Sequence, residues 1–424
     1  MNPCIWMLGE GLNSFEFEGY VIDYEDSERR GLNSMKQPIS ILFIIDGLEF
    51  GGGERTFLQV IQGLSNERYN ICVATSPDGD FFKILTDMGI DAVPLDLGNR
   101  VNFNNIKRLY EIIREGKIDI VHSQGGRADF YARMAARLLK PKVKIVNTVA
   151  MPVKGYDVGT LRKGVYRFFD WVSERYVDRF IVVSDVLRET LLNSYRIPPN
   201  KVIKIYNGIE LSEYHPNYFD ESFKSVRKEY NIGEEACLIG AVGRMVWQKG
   251  FEYLIESIPE IIETLPQSKI LIVGDGPLMD GLKTLSERLK VGENIIFTGF
   301  RSDIKGILSA VDLLVIPSLL EGFPMVTLEA MAMARPIVAT NIDGITEQIA
   351  DGVDGILVPP KDPSALADAV VRVLSDREFA GTMGLSARKK VEREFSVEKM
   401  VSETEKVYLS LLRVDQNNKS EIIT

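Results

Sequence analysis

From residue 39 onward, short runs of β-branched and aliphatic residues alternate with stretches whose apolar positions recur every three or four residues. ISILFIID, YNICVAT, DAVPLDL, DIVHSQ, VKIVNTV, RFIVVSD and VIKIYNG come first. A polar break, SEYHPNYFDESFKSVRKEY, interrupts the rhythm, and ACLIGAVG, KILIVGDG, NIIFTGF, DLLVIPS, RPIVATN and GILVPP then resume it. Apolar runs of strand length, each separated by an amphipathic helical stretch, predict parallel sheets covered on both faces. We therefore expect an α/β protein built of two Rossmann-like, doubly wound parallel-sheet domains, residues 37–215 and 216–395, joined near 212–222. Residues 396–424 read as a C-terminal helix and polar tail. Residues 1–36 precede the pattern and are expected to lie outside the fold, as a flexible leader or, over 1–34, a translated upstream stretch, since Met35 opens MKQPISILFIIDG.

Ligands of open α/β sheets bind beyond the carboxyl ends of the strands, which here places a site in the cleft between the domains. The unusual loops follow strands: GLEFGGGE in the first domain, GRMVWQKG, GDGP, GFRSD and SLLEGFP in the second. Arg244 and Lys249 put two cations where a helix should begin, suited to neutralising a diphosphate. Gly274 and Gly276 let a backbone approach a ligand closely. Glu321 and Glu329 are eight positions apart and cannot touch on one helix. Pro324 suits a first helical turn, so the two glutamates flank a helix N-terminus whose free Met325 and Val326 N–H groups favour a phosphate. The arrangement suggests an anion between two carboxylates that bind hydroxyls. The alternative is a capped helix with solvated glutamates and two ordinary surface cations.

Composition narrows the class. The chain has 424 residues, a net charge of −10 and three cysteines. Cys4, Cys72 and Cys237 are widely spaced and show no CxxC pair, so neither a disulfide framework nor a zinc site is indicated, and a reducing cytoplasm fits best. No apolar run approaches the roughly 18 residues of a spanning helix, and the start lacks the pattern of a signal peptide. Charge is uneven: residues 1–36 carry −4, 37–215 carry +3 and 216–424 carry −9. The net basic first domain favours an anionic partner there, but no basic run interleaved with aromatics resembles a nucleic-acid surface.

Taken together, AVGRMVWQKG, LIVGDGP, NIIFTGF, EGFPMVTLE and RPIVATNIDGITEQIADGVDGILVPPKDPSALADAV strongly resemble the retaining glycosyltransferases of family 4, which have the GT-B fold. The likeness runs from about residue 40 to about residue 395, in the family's order and spacing, with seven residues between the two glutamates. GGGERTF, DIVHSQGGRAD, IVVSD and IYNGIELSEYHP look like its acceptor-domain landmarks. The resemblance implies that Arg244 and Lys249 bind the diphosphate of a nucleotide sugar, with Met325 and Val326 N–H completing the cradle. It places Glu321 on the sugar and Glu329 on the ribose, Phe300 and Arg301 at the nucleobase, and Gly322, Phe323 and Pro324 along the donor. Gly52 and Gly53 would pass close to the donor phosphates, and Gly51, Glu54, Gln124 and Arg127 would lie on the acceptor side.

His122 ends DIVH and is read as facing the cleft, in a catalytic or orienting role, with a bland strand-end histidine as the alternative. Gln124 and Ala150 stand where relatives often carry histidine, and an amide cannot exchange protons near neutral pH. The implied reaction moves a hexose from a nucleotide diphosphate sugar, expected to be a UDP-sugar, to a hydroxyl of a glycan or lipid-linked acceptor with retention of configuration. No cofactor and no metal is implied, because Arg and Lys do the ion's work. Asp78 and Asp80 in PDGD look like a metal clamp but read better as a turn before a helix. TLRKGVYRFFDWVSERYVDRF has a core stripe (Leu161, Val165, Phe168, Val172, Tyr176), while Arg162, Lys163, Arg167, Tyr166 and Phe169 suggest peripheral contact with an anionic membrane. His215, before a proline in the linker, is given no role. Two other classes stay open: a nucleotide-sugar epimerase of similar fold, and a non-catalytic nucleotide-sugar-binding protein.

Overall fold

The computed structural model describes residues 38–48, 50–97, 102–139, 143–151, 174–214 and 226–421. The leader, the basic and aromatic face proposed for membrane contact, His215 and the join between the domains lie outside the described residues.

Two parallel sheets carry the fold. The first contains β1 (Ile39–Ile45), β2 (Tyr69–Thr75), β3 (Asp91–Pro94), β4 (Ile120–Gln124), β5 (Lys144–Val149), β6 (Arg179–Val182) and β7 (Val202–Lys204), in the order β3-β2-β1-β4-β5-β6-β7. The second contains β8 (Leu238–Val242), β9 (Lys269–Val273), β10 (Ile295–Gly299), β11 (Leu313–Ile316), β12 (Ile337–Thr340) and β13 (Ile356–Val358), in the order β10-β9-β8-β11-β12-β13. Each run picked out by pattern is a strand. Helices on both faces explain why β4, β11 and β12 are buried at every position rather than alternating.

Strand order reverses between β1 and β4 in the first sheet and between β8 and β11 in the second. A crevice opens at such a point because the connections leave toward opposite sides. The loops after these four strands are the GGG loop, the Gln124 turn, the Arg244–Lys249 loop and the Glu321 loop. The chain does not end with the second sheet. The helix Val397–Glu421 returns to the first domain, where Tyr408 is fully buried and Glu405 accepts from Tyr69 Oη at 2.9 Å and Arg68 Nη1 at 3.1 Å.

Candidate active site

β8 ends in Gly243-Arg244-Met245, and a 3-10 turn, Trp247–Lys249, leads through Gly250 into the helix Phe251–Thr264. Gly250 has φ +59°, and a Cβ there would lie 2.2 Å from the Pro317 carbonyl oxygen, so glycine is required where this loop crosses the end of β11. The Gln248 carbonyl accepts from Leu319 N–H at 2.7 Å and Leu320 N–H at 3.2 Å, tying the cation loop to the glutamate loop. Lys249 Nζ donates to Glu321 Oε1 at 2.6 Å, and Ser318 Oγ donates to the same oxygen at 2.7 Å. A carboxylate 5% exposed needs such partners to stay charged.

A Cβ on Gly274 would lie 2.0 Å from the Gly243 carbonyl oxygen, and one on Gly276 would lie 2.6 Å from that of Met245. These glycines let the GDGP turn nest on the backbone of the Arg244 loop.

The helix Met325–Ala332 starts from Pro324 as N-cap rather than as its first residue. Its first N–H groups, those of Met325 and Val326, have no partner within the helix. The opposing helix Gly52–Gly63 begins against it: a Cβ on Gly52 would touch Met325 Cγ at 3.4 Å. The start of the Gly52 helix therefore lies against Met325, the first residue of the helix into which the Glu321 loop leads, and a helix N-terminus favours an anion. Gly53 leaves room for the Gln124 amide, whose Nε2 lies 2.4 Å from where a Cβ would stand. Glu54 Oε2 accepts from the Gly51 N–H at 3.1 Å, capping the start of its own helix. Arg127 pairs with Asp46 across the switch between β1 and β4.

Two further expectations change, those for His122 and Phe323. His122 does not face the cleft. β4 runs two residues past it, and its ring lies among Phe43, Phe57 and Tyr408, with Nδ1 2.6 Å from Tyr408 Oη and Nε2 2.8 Å from Thr148 Oγ1. Burial lowers its pKa to about 3, so it is a neutral core histidine with no route to a substrate. Phe323 is buried too, stacked on Tyr206 at 5.0 Å and edge-on to Phe395 at 5.4 Å, so it anchors the glutamate loop instead of lining the donor. Arg301 is held by Asp303 at 2.7 Å, by Glu229 at 2.5 Å and by Tyr230 Oη at 2.9 Å, while Phe300 beside it is 73% exposed.

Sequence reasoning passed over Arg55, Tyr214 and Ser318. Arg55 and Tyr214 both donate to Glu329. Each lies inside a quoted motif, GGGERTF or IYNGIELSEYHP, where the glycines or the family likeness drew attention first. Gly322, expected along the donor, makes a contact between domains: a Cβ there would lie 1.8 Å from the Ala150 carbonyl oxygen.

On the first-domain side, a cavity of about 200 Å³ opens beside Gln124, Ala150 and Met151, with Phe180 and Leu187 as wall and Arg133 at its floor. Gln124 is 8% exposed and its Oε1 has no hydrogen-bond partner among the described residues. Beneath, Arg133 donates to Asn147 Oδ1 at 2.8 Å and Ser123 to Asp129 Oδ1 at 2.7 Å. Asp78 lies in the turn before the helix Asp80–Asp87, whose N-cap is Gly79. Among the described residues no group of three or more His, Cys, Asp or Glu converges, and no helix is long and apolar enough to cross a membrane.

Two doubly wound domains sharing one cleft are the architecture of GT-B glycosyltransferases. The chain superposes on HepE of Anabaena, in complex with UDP and glucose, with a TM-score of 0.77 at 20% identity, covering 88% of this chain and 100% of that one. A glycosyltransferase of Rickettsia africae gives 0.75 at 24% identity, over 89% and 99%. Sequence takes the assignment further. The profile of Glycosyltransferase Family 4 matches residues 50–213 and that of Glycosyl transferases group 1 matches 236–376. An uncharacterised glycosyltransferase of Methanocaldococcus jannaschii is 32% identical over 300 residues, 70% of this chain and 76% of that protein. The UDP-Gal:alpha-D-GlcNAc-diphosphoundecaprenol alpha-1,3-galactosyltransferase of Escherichia coli is 28% identical over 372 residues, 85% and 94% respectively. The chain belongs to glycosyltransferase family 4 and is a GT-B glycosyltransferase.

Proposed function

We propose that the protein transfers a hexose from a UDP-sugar to a hydroxyl of a glycan or lipid-linked acceptor, with retention of configuration and without a metal. The observation that carries this reading is the Lys249–Glu321 pair on the loop that leads into the helix Met325–Ala332, whose start lies against the Gly52 helix of the first domain. A diphosphate seated there gains charge as its bond to the anomeric carbon breaks. Preorganised cations and N–H dipoles stabilise that growing charge by several kcal/mol, which makes departure of the leaving group the step the protein assists most.

Lys249 is paired with Glu321. A donor would take over both partners: Lys249 turns to the phosphate and Glu321 accepts from sugar hydroxyls. Arg244, on the same loop, adds a second cation, and Glu329 receives the ribose. The acceptor hydroxyl then attacks from the face the phosphate leaves, and the departing phosphate takes its proton, so no protein base is needed. His122, buried and neutral, is not available for that role. The cavity beside Gln124 is the proposed seat of the acceptor, because a buried amide oxygen with no partner calls for an O–H or N–H donor. The UDP preference draws support from HepE, solved with UDP and with UDP-glucose, and from the E. coli relative that uses UDP-galactose.

The test is release of nucleotide diphosphate from UDP-, GDP- and ADP-sugars in the presence of a chelator, without acceptor. Slow hydrolysis of a UDP-sugar that disappears in Glu321→Gln, while nucleotide affinity changes little, is expected. Release that needs added divalent cation, or that survives the substitution, overturns the reading.

A further inference from the structure

The helix Met325–Ala332 is buried around most of its circumference, and the Glu329 side chain is 4% exposed. A carboxylate so placed must be hydrogen-bonded to remain ionised. Two donors reach its Oε1: Tyr214 Oη at 3.0 Å, and Arg55 Nη1 in an ion pair. They come from different parts of the chain. Tyr214 follows β7 and is buried, and that burial, with the neighbouring carboxylate, pushes its phenol well above the ordinary value, so it remains a donor at neutral pH. Arg55 belongs to the first turn of the helix Gly52–Gly63, in the opposite domain, and its side chain is 33% exposed. The ion pair therefore crosses the cleft beside the point where the two helix N-termini meet. Both described bonds fall on Oε1, which leaves Oε2 without a partner among the described residues.

We propose that Arg55 is a positioning residue for the donor: by holding Oε1 from across the cleft it presents Glu329 Oε2 to the ribose hydroxyls, making ribose recognition conditional on the two domains being together. The proposal rests on Glu329 as the ribose ligand and adds what orients it. A lysine at position 55 supplies the charge but not the planar fork, so it restores orientation only in part. Arg55 is placed at the ribose and not at the chemistry, so its loss acts on donor KM before kcat.

The experiment is calorimetric titration of uridine, guanosine and adenosine diphosphates, each paired with its 2′-deoxy analogue, into wild type, Arg55→Ala, Arg55→Lys, Glu329→Ala and the double Arg55→Ala/Glu329→Ala variant. Wild type is expected to prefer the ribonucleotide. Arg55→Ala should shrink that preference by about tenfold, the worth of one well-placed hydrogen bond to a charged group, while the deoxy analogue binds nearly as before. Arg55→Lys should recover part of it, and on the Glu329→Ala background Arg55→Ala should leave the ratio unchanged. If Glu329→Ala abolishes the preference and Arg55→Ala does not, the positioning role is overturned and the ribose reading stands. Were Glu329→Ala itself to leave the preference intact, the ribose reading falls and this proposal falls with it. Equal weakening of both analogues by Arg55→Ala also overturns it, since that is the signature of a plain phosphate contact. Should the alanine variant melt early, Arg55→Lys alone decides: an unchanged ratio overturns the proposal and a reduced one supports it.

Discussion

Replacing Gly322 by alanine tests whether the two domains must come as close as they do beside Glu321. The Cβ that the substitution adds would stand 1.8 Å from the Ala150 carbonyl oxygen, 2.9 Å from its carbon and 3.4 Å from Met151 Cα. Real Cβ atoms do not approach closer than 3.0 Å, so something must move by at least the difference, 1.2 Å. The obstructing atoms are backbone and belong to the other domain, so no side chain can swing away to make room. Retreat on the near side is blocked as well. Gly344, at φ +84°, already lies so close that a Cβ on it would sit 2.4 Å from the Gly322 carbonyl oxygen. The first domain must therefore lift off, or the Glu321 loop must shift, taking the carboxylate with it. A misplacement of about 1 Å at a reacting centre costs on the order of a hundredfold in rate. Gly322→Ala is accordingly expected to lower kcat about a hundredfold. Nucleotide affinity reports which of the two moves: a shift confined to the Glu321 loop leaves it within about threefold, whereas lifting of the first domain opens the Arg55–Glu329 pair and weakens the ribonucleotide by up to about tenfold. The assay pairs steady-state release of nucleotide diphosphate with calorimetric titration of the nucleotide, and a thermal melt to confirm folding. A kcat within about twofold of wild type would refute the claim that this contact sets the catalytic geometry.

Gly274→Ala tests the nesting of the GDGP turn, because its Cβ would lie 2.0 Å from the Gly243 carbonyl oxygen at φ +132°. About 1–3 kcal/mol of strain is expected, read as a lower urea midpoint, with weaker diphosphate binding through displacement of Arg244; unchanged affinity in a folded variant would mean that the Arg244 loop is not held by this turn. The buried His122 makes a pH prediction whose sign is fixed by the direction of its shift. Its folded pKa of about 3 lies below the unfolded 6.5, so protonation favours the unfolded chain, and the stability from keeping it neutral is complete above 6.5 and lost as pH falls toward 3. The slope is about 1.4 kcal/mol per pH unit across that window. Urea unfolding between pH 4 and 7, compared with His122→Gln, should show the wild type losing stability faster by one proton's worth, and identical slopes would contradict the neutral, buried assignment.

The architecture was legible because parallel strands covered on both faces are nearly all apolar, a signal that survives without knowing what packs on them. Runs such as DIVHSQ and DLLVIPS could be recognised one at a time, and sheet order then followed the doubly wound pattern. The loops at the switch points were legible for a related reason: glycine, proline and charge cluster where a strand stops and a helix starts. What those residues touch was not legible. Gly274 and Gly276 read as room for a ligand, yet the atoms that would collide with a side chain are the carbonyl oxygens of Gly243 and Met245. A glycine marks close approach; the sequence around it does not say by what.

Polar residues show the same ambiguity in another form. His122 and Gln124 lie two apart on β4 and share a face, but one step of strand separates a ring enclosed by Phe43, Phe57 and Tyr408 from an amide at the cavity mouth. The enclosing Tyr408 comes from the last helix, 286 residues away, and no periodicity near His122 announces it. Glu329 depends in the same way on Arg55, 274 residues earlier. Local pattern therefore identifies which residues are able to do chemistry. Whether each is spent on the fold or kept for a ligand is decided by partners the fold brings from far along the chain, and at this cleft those partners are divided between two domains.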